Sequence, residues 1–278
     1  RGLYNQILAS QDPASGMFTY FVPLVSGNFK TYSTPTNSFW CCVGTGMENH
    51  AKYGDTIYFH TPDSLYVNLF IASELNWKEK GIIVRQETNF PDEEKTTLTM
   101  QVTKPVKLAL KIRRPAGAGE GAKILVNGKP QKIKSEPSSY ITLERKWRSG
   151  DRIEFTLPMR VHVEDLPNDP TTVAVLYGPI VLAAKMGTEG LPPNGQQAKS
   201  QLDFAGMKLP HAPVLNTTNV GKIISQISRD EKAPLTFHAD GLVQPGTLEL
   251  LPFYRVHHER YSIYFNLPTP PRQSSRDD

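Results

Sequence analysis

At about residue 57 the pattern of apolar residues changes, and that change bounds what the chain can fold into. From there on, short β-branched and aromatic segments recur: 56–60, 64–71, 81–86, 95–102, 106–112, 123–130, 140–143 and 151–157. Such segments, too short for helices and separated by turn residues, predict a β-sandwich. Asn127-Gly128 inside the 123–130 segment is the signature of a two-residue type I′ hairpin turn. In Lys107-Leu-Ala-Leu-Lys-Ile-Arg113 charges alternate with apolar residues, as on the solvent face of a half-buried strand. A second change falls at the turn-rich stretch Asp165-Leu-Pro-Asn-Asp-Pro170. Beyond it, 172–184 is two apolar runs broken at Gly178-Pro179, and 223–224, 235–237, 247–251 and 261–265 are further strand candidates. Residues 186–213 predict a long loop, and 269–278 a disordered tail.

Before residue 57 the pattern is different. Leu3, Ile7 and Leu8 have helical spacing, and the helix should end before Asp12-Pro13. Because the opening residues resemble the interior of a helix, further sequence is expected to precede them. Gly16 to Leu24, with Met17, Phe18, Tyr20, Phe21 and Val22 bounded by Pro23, suggests a short extended segment or loop, and 25–38 an irregular loop. Thr45 could cap a helix over roughly 46–53, with Glu48 and Lys52 spaced as a helix-face ion pair. The organisation expected is therefore 1–56, a sandwich over 57–164, a second over 165–268, and a tail over 269–278.

The formal net charge of +4, from 31 basic and 27 acidic residues, does not favour nucleic acid or an acidic membrane surface as partner. No apolar run approaches the roughly 20 residues of a membrane span.

The only two cysteines, Cys41 and Cys42, are adjacent. A bridge between neighbours would close a strained ring, so a structural disulfide is not expected. Two side-by-side thiolates are good soft ligands for zinc, and a nearby cation would turn one into a nucleophile. Two ligands do not complete a tetrahedral site. Gly44-Thr-Gly46 lacks the spacing of a phosphate-binding loop. The seven histidines show no metal-binding spacing, and His257-His258, if in a strand, would face opposite ways. Pro252 to Tyr261 could form an aromatic sugar platform, but core packing around a buried hydrogen-bond network is the simpler reading. For Glu48, a structural role is likewise simpler than acid–base catalysis.

The segment Ser38-Phe-Trp-Cys-Cys-Val-Gly-Thr-Gly-Met-Glu-Asn-His-Ala-Lys-Tyr-Gly-Asp55 resembles glycoside hydrolase family 127 and its relative family 146, the β-L-arabinofuranosidases. Tyr4 to Pro13, Gly16 to Tyr20, Ala174 to Leu182, Pro252 to His257 and Arg260 to Tyr264 agree with it. The resemblance implies a mostly β chain: tandem β-sandwich domains preceded by the last helical segment of an (α/α)6 barrel. It implies a retaining glycosidase in which Cys41 is the nucleophile and Cys41 and Cys42 bind zinc. The remaining zinc ligands, a glutamate and a third cysteine, and the acid/base glutamate lie upstream in that family and have no matching positions here. These 278 residues alone are therefore expected to be inactive. The implied partner is an oligosaccharide or polysaccharide of plant type, and a homodimer is left open. A periplasmic or extracellular setting fits, as would cytoplasm for reduced thiols. The competing readings are a carbohydrate-binding or scaffolding β-sandwich protein without catalysis, and a purely structural thiol or zinc site.

Overall fold

A computed structural model describes residues 1–38, 40–116, 121–192, 197–198, 204, 206–243 and 246–268; the expected tail at 269–278 lies outside them. The chain is mostly β and divides into two compact units. One is residues 51–160; the other is discontinuous, joining residues 1–50 to those from 161 onward.

The middle unit holds ten strands: β1 Tyr58–Thr61, β2 Ser64–Val67, β3 Ser73–Trp77, β4 Ile82–Thr88, β5 Lys95–Val102, β6 Val106–Arg114, β7 Lys123–Val126, β8 Lys129–Pro130, β9 Ser139–Trp147 and β10 Arg152–Thr156. They form two sheets, ordered β1-β2-β6-β9 and β3-β4-β5-β10-β7-β8. Alternation decides which side chains go inside. Leu108, Leu110 and Ile112 of β6 and Ile141, Leu143 and Trp147 of β9 are buried against Ile82, Val84, Leu98 and Met100 from the other sheet. Each such side chain is worth about 1.5–3 kcal/mol of burial. The β7–β8 turn has positive φ at both Asn127 and Gly128, as the type I′ turn requires. Asn127 also accepts from the Arg152 backbone and donates to Asp151, pinning β10 beside β7. β3 was not anticipated: Ser73-Glu-Leu-Asn-Trp77 carries only two large apolar residues, and pairing with β4 makes it a strand.

The discontinuous unit contains β11 Val161–Leu166, β12 Asp169–Tyr177, β13 Ile180–Lys185, β14 Ile227–Arg229, β15 Phe237–Asp240, β16 Thr247–Pro252, β17 Tyr261–Ser262 and β18 Phe265–Asn266. One sheet runs β11-β12-β13-β16-β15-β14, with β17 on β13 and β18 on β12. The turn-rich stretch at 165–170 is the bend between β11 and β12, and Gly178 turns β12 into β13. The strand expected at 223–224 is instead part of helix α2, Val220–Ser225. Asn219 caps it by accepting from the Lys222 N–H, a signal that outweighs the β-branched pair Ile223-Ile224. Helical turns over Leu3–Ile7 and Leu8–Ser10 open the unit and end before Asp12, as expected. The Asn5 side chain holds the start of β13, donating to the Pro179 carbonyl and accepting from the Val181 N–H.

Residues 25–38 have little regular structure, yet Phe29, Lys30, Tyr32 and Ser33 are fully buried. The segment 253–262 makes this possible. Its backbone pairs with the loop through Gly27 N–H to Tyr261 O and Tyr261 N–H to Asn28 O. Arg260, itself buried, donates to the carbonyls of Gly27, Glu189 and Gly190. Lys30 is 1% exposed; its ammonium donates to the Phe253 carbonyl at 3.0 Å and lies 4.5 Å from the Phe253 ring centre. Burial lowers its pKa to about 7, opposed by the charge of Asp12. Burial also works against ionisation of Asp12, but hydrogen bonds from Ser15, His258 and Ala14 outweigh it and hold the carboxyl below its usual range. His257 and His258 are not in a strand. His258 takes φ +57° and reaches Asp12 at 2.9 Å. His257 Nε2–H donates to the Tyr254 carbonyl at 2.7 Å, which leaves Nδ1 to accept from the Tyr32 hydroxyl at 2.6 Å. The 252–261 segment is thus the packed core and hydrogen-bond network that was the simpler expectation.

Burial, followed by the charge of Lys30, lowers the His257 pKa from 6.5 to about 4. Between those values the unfolded ring holds more proton than the folded one, so stability rises with pH across the window and is lost as pH falls through it. Stability, by urea unfolding, should therefore drop between pH 6.5 and pH 5, with His257 responsible for up to about 2 kcal/mol of the drop. His257→Gln should flatten that decline; an unaltered pH profile in the variant would remove His257 from it.

Candidate thiol site

The loop that Lys30 and Tyr32 anchor leads directly to the cysteines. Thr34 and Ser38 close its last turn: the Thr34 N–H donates to Ser38 Oγ, the Asn37 N–H donates to Thr34 Oγ1, and Ser38 Oγ donates to the Ala198 carbonyl. Helix α1 then runs Cys41–Ala51, starting five residues earlier than the sequence suggested. Thr45 lies inside it, with its hydroxyl donating back to the Cys41 carbonyl rather than capping. Lys52 pairs with Asp55 at 3.8 Å, not with Glu48 as its spacing suggested.

Both thiols therefore occupy the first turn of a helix, where free N–H groups and the helix dipole favour negative charge. Cys41 is exposed and Cys42 partly so, and neither is bridged. Their sulfurs lie 3.8 Å apart, and Cys41 Sγ lies 3.9 Å from the Tyr20 hydroxyl. Hydrogen bonding from Tyr20, then from Cys42, pulls the Cys41 pKa below its ordinary value. Burial, then the hydrogen bond and charge of Cys41, push Cys42 up. The pair is thus asymmetric: Cys41 ionises first.

The sequence reading assigned no role to Tyr20. The available signal was its spacing of two from Phe18. In an extended segment those side chains share a face and stand roughly 6.8 Å apart. Cys41 and Gly46 are separated along the α1 axis by about 7.5 Å. In the structure Tyr20 meets Cys41, while Phe18 meets Gly46 and its ring lies 5.2 Å from that of His50. A Cβ on Gly46 would come within 2.7 Å of the buried Phe18 ring, whereas one on Gly44 would meet nothing within 4 Å. Gly46 is required by close approach, and Gly44 is not.

Two thiolates on one zinc at about 2.3 Å each, in a tetrahedral arrangement, are separated by about 3.8 Å. The observed sulfur separation is 3.8 Å, so the pair fits one edge of such a site. Among the described residues no cluster of three or more His, Cys, Asp or Glu side chains could hold a metal ion. No helix of the described residues is long and apolar enough to cross a membrane.

Residues 1–55 match the family described as "Beta-L-arabinofuranosidase, GH127 catalytic domain", and residues 64–159 the one described as "Beta-L-arabinofuranosidase, GH127 middle domain". Residues 162–267 match a domain of unknown function. Among solved structures, one called a glycoside hydrolase superposes with TM-score 0.69 at 20% identity, covering 96% of this chain and 47% of its own. A GH127 beta-L-arabinofuranosidase from Geobacillus stearothermophilus T6 gives 0.65 at 21% identity, covering 96% and 45%. A further GH127 beta-arabinofuranosidase gives 0.68 at 19% identity, covering 96% and 44%. At these identities the likeness is one of fold, and the chain spans about half the length of the structures it matches. No curated protein matches the chain.

Two measurements check the site's construction. Gly46→Ala should destabilise the protein by about 1–3 kcal/mol through overpacking, while Gly44→Ala should stabilise it by about 0.5–1 kcal/mol through helix propensity. Urea unfolding of the two variants reads both signs. Separately, iodoacetamide in the presence of a chelator should label Cys41 before Cys42 near neutral pH, and Tyr20→Phe should slow Cys41 labelling several-fold. Peptide mapping by mass spectrometry would expose an error if both thiols react at one rate.

Proposed function

This chain belongs to glycoside hydrolase family 127, and on that premise we propose that it contributes the nucleophile of a retaining β-L-arabinofuranosidase acting on plant-type glycans. The observation that carries the reading is the asymmetric thiol pair on the first turn of α1, with Cys41 exposed and hydrogen-bonded toward its thiolate form. In this reading Cys41 Sγ attacks the anomeric carbon, a C–S bond forms, and the glycosidic C–O bond breaks as its oxygen takes a proton from a carboxylic acid outside these residues. A water then attacks the same carbon, gives its proton back to that carboxylate, and returns Cys41 as thiolate. Net retention follows from the two displacements. As a thiol, Cys41 donates to the Tyr20 hydroxyl at 3.9 Å; once ionised it can only accept, and that hydroxyl would then donate to it.

Cys41 and Cys42 would hold a zinc ion along the edge described above; when bound, zinc keeps both thiols ionised at neutral pH. Residues 1–56 would be the closing part of an (α/α)6 barrel. With half a metal site and no acid/base carboxyl at a matching position, these 278 residues alone would turn over no furanoside.

The test is hydrolysis of an aryl β-L-arabinofuranoside by the full-length protein. Cys41→Ser should lower kcat/KM by on the order of a thousandfold or more, since oxygen at that position is neither ionised nor a comparable nucleophile. Wild-type rates in Cys41→Ser would remove Cys41 from the mechanism.

A further inference from the structure

Cys41 and Cys42 are the only cysteines of the chain, and they stand side by side without a bridge, their sulfurs 3.8 Å apart. Cys41 is exposed and Cys42 partly so. An accessible thiol with a second thiol beside it is the arrangement of a redox-sensitive pair: the first takes up an oxygen and the second displaces it.

Whether the two sulfurs can join depends on the backbone beneath them. A disulfide holds its sulfurs about 2.05 Å apart and usually spans Cα atoms at least about 4.4 Å apart. Neighbouring Cα atoms across a trans peptide are about 3.8 Å apart, so closing the ring must twist the peptide that links them. That peptide lies where α1 resists least. Its N–H belongs to Cys42, in the first turn, where a helix leaves N–H groups without intrahelical acceptors. Two local bonds steady the turn: the Val43 N–H donates to the Trp40 carbonyl at 3.1 Å, and the Thr45 hydroxyl donates to the Cys41 carbonyl at 3.2 Å. No residue of α1 is buried, and a Cβ on Gly44 would meet nothing within 4 Å. The close contact with Phe18 begins only at Gly46. The first turn can therefore deform without disturbing a packed core.

We propose that Cys41 and Cys42 are an oxidation site, which a hydroperoxide converts to a vicinal disulfide and which thiols reduce again. The Cys41 sulfur attacks one oxygen of hydrogen peroxide. The S–O bond forms, the O–O bond breaks, and the departing hydroxide takes up the proton that Cys41 gives up. The Cys42 sulfur then attacks the sulfenic sulfur. The S–S bond forms, the S–O bond breaks, and hydroxide leaves with the Cys42 proton as water. Two thiols and one peroxide give one disulfide and two waters, with two electrons passing from sulfur to oxygen. The strain that argues against a permanent bridge makes this one easy to reduce. As a disulfide, neither sulfur is a nucleophile or a thiolate ligand for a metal. Reversible loss of turnover follows, and that consequence alone rests on the glycosidase reading.

Residues 31–52, between Lys30 and Lys52, are one tryptic peptide that carries both sulfurs. The test treats the full chain with a chelator and then hydrogen peroxide, quenches with iodoacetamide and maps this peptide by mass. In wild type it should be about 2 Da lighter than the dithiol and unalkylated, and dithiothreitol should restore both thiols. In Cys42→Ser it should instead gain about 32 Da, two oxygens on Cys41, which dithiothreitol does not remove. Wild-type thiols that stay open to iodoacetamide would overturn the proposal. So would a gain of two oxygens as fast in wild type as in Cys42→Ser, or a bridge between two chains in place of one within a chain. In the full-length protein, peroxide should abolish arabinofuranoside hydrolysis and dithiothreitol should restore it. A full-length protein that closes the bridge but never hydrolyses the furanoside keeps the oxidation site and loses the glycosidase reading.

Discussion

A buried lysine and a buried tyrosine hold the irregular segment on which the thiol site stands. Residues 25–38 lack the ladder of hydrogen bonds that lets strands and helices enter a core. Gly27 and residues 29–33 among them are buried nonetheless, because 253–262 offers them carbonyls, a guanidinium and an imidazole at matching positions. Each of these polar contacts would be costly to leave half made. The burial of Lys30 is offset by the Phe253 carbonyl, the Phe253 ring and the Asp12 charge together. The path of the chain from Tyr32 to Cys41 is therefore set by tertiary contacts rather than by local preference. A displacement of the Tyr32 anchor would be felt at the first turn of α1.

The parts of this fold that could be read from the sequence are those whose cause is local. The period-two pattern of β5, β6 and β10 and the Asn127-Gly128 turn are properties of a few neighbouring residues, and they appear where expected. Errors arose where a distant partner decides. Ser73–Trp77 is a strand because β4 lies beside it, and Ile223-Ile224 is helical because Asn219 caps it. The early start of α1 belongs to the same class, since Trp40 and Tyr20 pack at its first turn and Phe18 lies under Gly46. The burial of residues 29–33 was invisible because the Ser, Thr, Asn, Gly and Pro around them resemble a surface loop unless their partners are known.

The site was legible in part for the same reason. Adjacency alone singled out Cys41 and Cys42. It could not reveal that they stand on a helix start, nor that one ionises ahead of the other. That asymmetry comes from Tyr20, twenty-one residues earlier in sequence, which lowers Cys41, and from the burial that raises Cys42. In the middle sheet, the alternation of β6 was correctly read as a half-buried strand.

The anchor of the thiol-bearing segment also orders events during synthesis. Tyr32 and His257 are 225 residues apart. A ribosome adding 5–20 residues each second needs roughly 10 to 45 s to cover that distance. Within that interval the middle unit, contiguous in sequence, gains its last strand at Thr156, while the nascent cysteine segment still lacks its fixing partner. The thiol-bearing segment is thus made before its fixing partner and organised after it, with its two thiols exposed to whatever metal or oxidant the compartment offers before their final geometry exists.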